Sequence, residues 1–133
     1  MTTTITFEVV GDPVAQARPR AVRVGKGIRM YNTKPVETFR TLFNKRASEA
    51  MNGKPLFDVP LMVILDVYIQ RPKSWKKSRI HADRKPDCDN FAKLALDSME
   101  GVIYTNDSRI VSLCVEKHLS DRPRCEVRVE VLE

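Results

Sequence analysis

Cysteine and histidine are scarce in this sequence of 133 residues, and their spacing excludes two kinds of site. The three cysteines form no CxxC pair, so neither a disulfide framework nor a thiolate zinc site is expected. The two histidines, His81 and His118, lie far apart and lack a metal-type spacing. A reducing compartment is therefore the simplest expectation for the chain. The cysteines are Cys88, Cys114 and Cys125.

Long apolar runs and a secretory leader are also missing. The longest apolar-rich segment, VPLMVILDVYIQ, contains Asp66 and is too short to span a bilayer. The N-terminal MTTTITFEVV lacks a basic region followed by an apolar stretch, so we expect no signal peptide, no membrane partner and a cytoplasmic location. With 42% hydrophobic and 30% charged residues, the composition predicts one globular domain over residues 1–133.

The net charge of +6 is distributed unevenly along the chain. Residues 1–54 contain ten Lys and Arg against four acidic residues, and residues 71–85 contain seven against one, so each segment carries +6. Residues 86–107 carry −4. A basic chain with one acidic segment predicts a polyanionic partner and a local cation site, although a merely solvated basic surface is the alternative.

Hydrophobic periodicity predicts an α+β fold with two helices on a mixed sheet. Strands are expected at TITFEVV, VPLMVILDVYIQ, RIVSLCVEK and CEVRVEVLE, and the run LSDRPR suits a hairpin connection between the last two. AVRVGKGIRMY predicts a hairpin that turns at Gly25, Lys26 and Gly27. Apolar residues at three-four spacing predict a first helix in TKPVETFRTLFNKRASEAMNG.

Two basic segments are candidate DNA-binding surfaces. The predicted hairpin could lie along phosphates or be a short solvated hairpin. The loop RPKSWKKSRIHADRK could be a flexible linker, or it could contact DNA through its lysines and the aromatic ring of Trp75. The candidate DNA-binding residues are Arg18, Arg20, Arg23, Lys26, Arg29, Lys73, Lys76, Lys77, Arg79, Arg84 and Lys85.

The acidic stretch KPDCDNFAKLALDSMEGVIYTND predicts the second helix and a carboxylate site beside it. Asp87 or Asp89 can cap the start of this helix. Asp89, Lys93 and Asp97 recur at four-residue intervals and share one face. Asp107 falls in a turn before the next strand. If that strand lies beside the helix N-terminus, Asp107 meets Asp87 and Asp89.

Three converging carboxylates repel one another, and a divalent cation resolves that repulsion. Oxygen ligands suit Mg²⁺, with Mn²⁺ as a possible substitute, and such an ion beside a bound phosphodiester can activate water. Lys93 could offset charge on the phosphate. Each acid alone has simpler readings, as a helix cap or as an exposed Asp97–Lys93 ion pair. A DxD motif like Asp87-Cys88-Asp89 also binds nucleotide sugars through Mn²⁺ in glycosyltransferases, but those enzymes are generally much larger than this short basic chain.

The segment KPDCDNFAKLALDSMEGVIYTNDSRIVSL resembles the signature of the RusA family of Holliday junction resolvases, and VVGDPVAQARPR resembles the family more loosely. The resemblance implies that Asp87, Asp89 and Asp107 are the essential metal-binding acids and that Lys93 is the catalytic lysine. Some relatives have two consecutive acids where this chain has Asn106-Asp107, which puts the affinity for metal in question.

The resemblance also implies an activity and its partners. It implies an α+β homodimer that binds four-way junction DNA and makes paired, symmetric, Mg²⁺-dependent cuts during recombination and repair, with a phage or prophage origin expected. Two alternatives remain at this point: a DNA-binding module without catalysis, and a nuclease that acts mainly on other branched DNA.

Overall fold

The computed structural model describes residues 3–16, 20–31 and 33–132, with residues 20, 21 and 29–31 described as backbone. The two-helix, mixed-sheet α+β architecture predicted from periodicity is confirmed. Arg18 lies outside the described residues, as do parts of the N-terminal segment that resembles the family. The elements are β1 (Thr4–Val10), β2 (Arg20–Val24), β3 (Gly27–Tyr31), α1 (Lys34–Met51), β4 (Leu61–Gln70), α2 (Cys88–Met99), a 3₁₀ turn (Asp107–Arg109), β5 (Ile110–Ser120) and β6 (Arg124–Val131).

The main sheet has the order β1-β6-β4-β5, and β4 is the strand in it with an antiparallel neighbour, β6, on one side and a parallel neighbour, β5, on the other. The β4–β5 pair is parallel, and the connection between these strands contains α2, as parallel strands require a long crossover. The unit β4–α2–β5 therefore sets α2 beside β5.

The predicted hairpin between the last two strands is wrong, because β5 and β6 do not pair with each other. Each pairs with β4, which lies between them. The connection of residues 121–123 spans two strand spacings, roughly 10 Å, which a short extended segment can cover. LSDRPR thus reverses the chain around the end of β4, and local turn chemistry could not distinguish this path from a tight hairpin.

The core lies between one face of the sheet and both helices. β4 alternates as expected, with Leu61, Val63, Leu65 and Val67 buried on the helix side. Helix α1 contributes the predicted apolar face, with Met51 buried in place of Ala50. Helix α2 buries Phe91, Leu94, Ala95 and Ser98 as predicted, together with Ala92 and Met99.

The opposite side of the sheet is called the open face, and it includes Ile64, Asp66 and Tyr68 of β4 and Glu116 and His118 of β5. Its side chains are half-buried or exposed. The described part of the chain contains no helix long and apolar enough to cross a membrane.

The β2–β3 hairpin forms a separate two-stranded sheet. Val24 pairs with Gly27, so residues 25 and 26 form the turn, and Gly25 has a φ of 59°. This positive φ favours glycine, as the predicted turn requires.

Candidate active site

A groove of about 440 Å³ runs between α2 and β5, and it contains most of the predicted catalytic side chains. Asp89, Lys93 and Asp97 follow one another along α2 at successive turns and all line this groove. Asp107, from the 3₁₀ turn before β5, lines it as well. Asp89, Lys93 and Asp107 are exposed, and Asp97 is half-buried. The predicted polar face of α2 is therefore assembled around one solvent-accessible cleft.

Three carboxylates meet at one end of the groove. Asp97, Glu100 and Asp107 each place an oxygen within 4.8 Å of the others. Asp97 and Glu100 lie at the C-terminal end of α2, whose last turn contains no basic residue. The helix dipole places partial negative charge at this same end, so it adds to the repulsion among the carboxylates. Such a donor set, open to solvent, fits a hard divalent cation that retains several waters.

The position of Asp107 differs from the arrangement expected from the sequence. Among the described residues, Asp87, Asp89 and Asp107 do not form a group of mutually close carboxylates of this kind. Gly101 donates its N–H to the Tyr104 carbonyl at 2.8 Å, so the chain turns back immediately after α2. This turn keeps Asp107 beside the C-terminal half of the helix instead of its N-terminus.

Asp87 occupies the N-cap position of α2 and faces a neighbouring cavity. Its side chain makes no capping hydrogen bond. The cavity is lined also by residues of the segment Pro13–Gln16 and by Asn90. Lys117 of β5 donates to the carbonyls of Arg84 and Pro86, at 2.7 and 3.1 Å, and so ties the approach to Asp87 to the sheet.

Asp58 holds the segment that carries Asp107. One oxygen, Oδ1, accepts a hydrogen bond from Thr105 Oγ1 at 2.8 Å and another from Arg109 Nε at 2.8 Å. The hydrogen bond from Thr105 lowers the pKa of Asp58, and Arg109 lowers it further. Thr105 and Arg109 flank Asp107 on its two sides. Asp58 is therefore a positioning residue for the carboxylate cluster.

Tyr104 joins the same segment to α2 from inside the core. Its hydroxyl donates to the Leu96 carbonyl at 2.6 Å, and the side chain is fully buried. Burial raises the pKa of Tyr104, and the nearby charges of Asp107, Glu100 and Asp97 raise it further. The bond links the turn that precedes Asp107 to the helix residue next to Asp97.

Asn106 caps the short 3₁₀ turn that begins at Asp107. Its Oδ1 accepts the backbone N–H of Ser108 at 2.8 Å. The side-chain oxygen thus shapes the backbone at Asp107, which gives Asn106 a conformational role.

The loop of residues 71–87 is internally bonded. The Arg79 guanidinium stacks over the Trp75 ring at 3.3 Å and bonds Asp83 at 3.1 Å. Arg71 donates to the carbonyls of Lys76 and Arg79. These contacts within the loop argue against the hypothesis that it is a flexible linker. Arg79 also covers the aromatic ring that could stack on a base.

The other candidate DNA-binding residues are distributed over this loop and the β2–β3 hairpin. On the loop, all the predicted lysines and arginines are exposed. On the hairpin, Arg23 and Lys26 are exposed, whereas the structure describes only the backbone of Arg20 and Arg29. The exposed loop residues are Lys73, Lys76, Lys77, Arg79, Arg84 and Lys85.

A family model described as endodeoxyribonuclease RusA matches residues 11–130, which is most of the chain. The chain belongs to the RusA family. A relative from Bacillus subtilis (strain 168), named "Uncharacterized protein YqaN", is 35% identical to this RusA-family chain over 136 residues, with 94% of each chain covered. Family membership identifies the chain as a DNA endonuclease of a group that depends on divalent metal.

Sequence reasoning missed the residues that hold this RusA-family site together. Asp58 lies in a connection with no periodic pattern, so nothing local relates it to residues 105–109. Glu100 counted as part of the acidic stretch but was not assigned to the site. Its place after Asp97 at the end of a predicted helix was the available signal.

Proposed function

We propose that this chain is a structure-selective endonuclease that resolves four-way DNA junctions by paired, symmetric, Mg²⁺-dependent cuts as a homodimer. The observation that supports this best is the meeting of Asp97, Glu100 and Asp107 at the end of a groove that Asp89 and Lys93 line. In a chain of the RusA family, such a donor set beside a basic loop fits phosphodiester hydrolysis.

Asp107 belongs both to the set expected from the resemblance and to the observed carboxylate cluster, so we assign it the central metal-binding role. Asp97 and Glu100 are placed to share an ion with it. Asp89 lines the same groove, and Asp87 is the N-cap residue of α2 and lines the neighbouring cavity. We keep both as candidate ligands or water-binding groups. A bound Mg²⁺ would supply Lewis-acid stabilisation of the phosphate and a more acidic water.

Lys93 is placed one helical turn from both Asp89 and Asp97 on the groove side of α2. Its ammonium can bind a non-bridging phosphate oxygen and offset the negative charge that the carboxylates bring to the groove. The exposed basic loop and the β2–β3 hairpin supply the phosphate-binding surface. Binding through phosphates does not depend on base sequence.

A homodimer has a physical rationale. A four-way junction needs cuts in two opposing strands, and a two-fold assembly presents two identical sites with matching symmetry. We propose residues 1–133 as a single domain of such a dimer, acting on DNA in the cytoplasm.

The experiment compares cutting and binding for a set of aspartate variants on a synthetic four-way junction. Asp107→Asn should abolish Mg²⁺-dependent cutting while junction binding persists. Asp97→Asn should raise the Mg²⁺ concentration needed for half-maximal cutting. Asp87→Asn and Asp89→Asn test the residues that the resemblance assigns. Asp121→Asn, in the connection between β5 and β6, is the matched control and should leave both properties unchanged.

The alternatives have distinct outcomes in the same assay. An intact junction at all Mg²⁺ concentrations, with tight binding, would favour a DNA-binding module. Faster cutting of forks or flaps than of four-way junctions would favour a nuclease for other branched DNA. Full cutting by Asp107→Asn would contradict the assignment of the groove.

A further inference from the structure

A second group of metal-ligating side chains lies on the open face of the sheet, on the side opposite the helices and their groove. Asp66 of β4 lies directly opposite Glu116 of β5. Two residues further along both strands, on the same face, Tyr68 lies opposite His118. Asp66, Glu116 and His118 each offer a ligand atom within 4.8 Å of the others. No residue of this group belongs to the nuclease site.

The distances within this group suit a tetrahedral ion. His118 Nε2 lies 2.8 Å from Asp66 Oδ1 and 3.7 Å from Glu116 Oε2. Two donors bound to one tetrahedral Zn²⁺ lie about 3.3 Å apart, given metal–ligand lengths of about 2.0–2.1 Å. The two measured distances lie on either side of this value. Small side-chain rotations would bring both oxygens and the nitrogen around one ion.

The imidazole is held in place by its neighbours. The His118 ring stacks on the Tyr68 ring, with centroids 4.8 Å apart and planes inclined by 26°. The Arg124 guanidinium in turn lies 3.8 Å from the centroid of Tyr68. This packing limits rotation of the imidazole and keeps Nε2 directed towards the carboxylates. A pre-organised ligand loses less conformational entropy when it binds an ion.

A separate observation concerns the acidic residues of this face. Four acidic residues stand in one row across the whole sheet, each directly opposite the next: Glu8, Glu126, Asp66 and Glu116. Like charges directly opposite each other destabilise a sheet.

Arginines neutralise only one half of this row. Glu8 pairs with Arg122 at 2.6 Å, and Glu126 pairs with Arg124 at 2.7 Å. Among the described residues, the ion pairs of Asp66 and of Glu116 are both with His118. One imidazole carries at most one positive charge against two carboxylates, so the β4–β5 half of the row keeps an excess of negative charge.

From these observations we propose that Asp66, Glu116 and His118 form a binding site for a divalent transition-metal ion of the Zn²⁺ type, with water as a fourth ligand. Imidazole nitrogen selects Zn²⁺ and similar ions over Mg²⁺, which prefers oxygen donors and octahedral geometry. On binding, Nε2 gives up the proton that it donates to Asp66, either to solvent or to Nδ1 as the imidazole changes tautomer, and its freed lone pair bonds to the ion. The two positive charges of the ion then compensate Asp66 and Glu116.

An ion bound at this site would stabilise β5, the edge strand of the sheet. β5 has one strand neighbour, β4, among the described residues, and the proposed ion would join the two through side chains. The opposite face of β5 carries Leu113 and Val115, which line the nuclease groove. Binding of the ion therefore stabilises the strand that forms one wall of that groove, whether or not the proposed nuclease activity is correct.

The test is calorimetric titration of the metal-free, full-length chain with ZnCl₂ at about pH 7.5, because metal binding requires a deprotonated imidazole nitrogen and weakens in acid. We expect a rise in melting temperature and, with excess Mg²⁺ present to compete at the oxygen donors of the nuclease groove, one Zn²⁺ per chain. His118→Gln and Asp66→Asn should each weaken Zn²⁺ binding by about 10-fold or more, as loss of metal-site partners does. Excess Mg²⁺ should not displace the ion.

Matched controls address the other donors nearby. His81 and Cys88 line a cavity together with Glu116 and His118, so His81→Gln and Cys88→Ser test whether either residue binds the ion instead. Asp107→Asn tests the nuclease groove. All three variants should bind Zn²⁺ like the unaltered chain.

Several results would overturn the proposal. They are the absence of Zn²⁺ binding by the folded chain, unchanged affinity in His118→Gln, or loss of affinity in Cys88→Ser or Asp107→Asn. If the His118 variant misfolds, the imidazole nitrogen resonances of the unaltered chain decide: Zn²⁺ must shift those of His118 and leave those of His81 in place. The readout is binding, so its failure is separate from any failure of the junction assay.

Discussion

The hydroxyl of Tyr104 offers the most direct test of how the carboxylate cluster is assembled. Tyr104→Phe removes one oxygen and retains the buried ring. The change deletes the 2.6 Å hydrogen bond to the Leu96 carbonyl, which joins the turn before Asp107 to α2. The structure thus predicts a loss of stability without a cavity.

The magnitude follows from what remains bonded after the change. A typical intramolecular hydrogen bond contributes about 0.5–1.5 kcal/mol to the free energy of unfolding. The Leu96 carbonyl still accepts the Glu100 N–H at 3.1 Å, so it is not left unsatisfied. We therefore expect a loss in the lower half of that range, about 0.5–1 kcal/mol.

Urea unfolding followed by circular dichroism measures this loss. Tyr68→Phe is the matched control, because in the described part of the chain the Tyr68 hydroxyl makes no hydrogen bond, although its ring contacts His118 and Arg124. The control should change the free energy of unfolding by less than about 0.5 kcal/mol. Equal effects of the two substitutions would refute the assigned role of the Tyr104 hydroxyl. The m-value should stay constant in both.

Three further predictions concern alkali, the Asp58 contacts and the basic loop. Folding raises the pKa of Tyr104, so the stability that its protonated hydroxyl contributes is present below about pH 10 and is lost as the pH rises further. The free energy of unfolding should therefore fall less steeply in alkali for Tyr104→Phe than for the unaltered chain. Asp58→Ala should lower the junction-cutting rate and Asp58→Asn should lower it less, since an amide oxygen can still accept from Thr105; equal rates in all three proteins would contradict the positioning role. Lys76→Ala with Lys77→Ala should reduce the slope of log affinity for junction DNA against log salt by about 1.8, whereas Lys54→Ala should not; an unchanged slope in the double variant would remove the loop from the DNA surface.

Local pattern was sufficient for the elements, and the resemblance of one segment to the RusA signature was sufficient for the family. The period-two alternation of β4 and the three-four spacing of α1 and α2 predicted both their type and their buried faces, because those periods follow from backbone geometry. The spacing of Asp89, Lys93 and Asp97 placed all three on the groove side of α2 for the same reason.

Pairings between distant segments were not available from local patterns. The connection LSDRPR has turn chemistry, yet whether β5 and β6 pair with each other or with β4 depends on the crossover through α2. The contacts of Asp58 join residues about 50 positions apart, and no local signal marks them.

The sequence by itself therefore determined which residues are acidic, basic or apolar, which face of each helix and strand they occupy, and the family to which the chain belongs. Only the tertiary structure decided which metal-ligating side chains meet: Asp97, Glu100 and Asp107 at the end of the groove, and Asp66, Glu116 and His118 on the open face. The physical reason is that side-chain direction within an element follows from a local period, whereas the separation of two side chains depends on turns and strand order set by packing of the whole core.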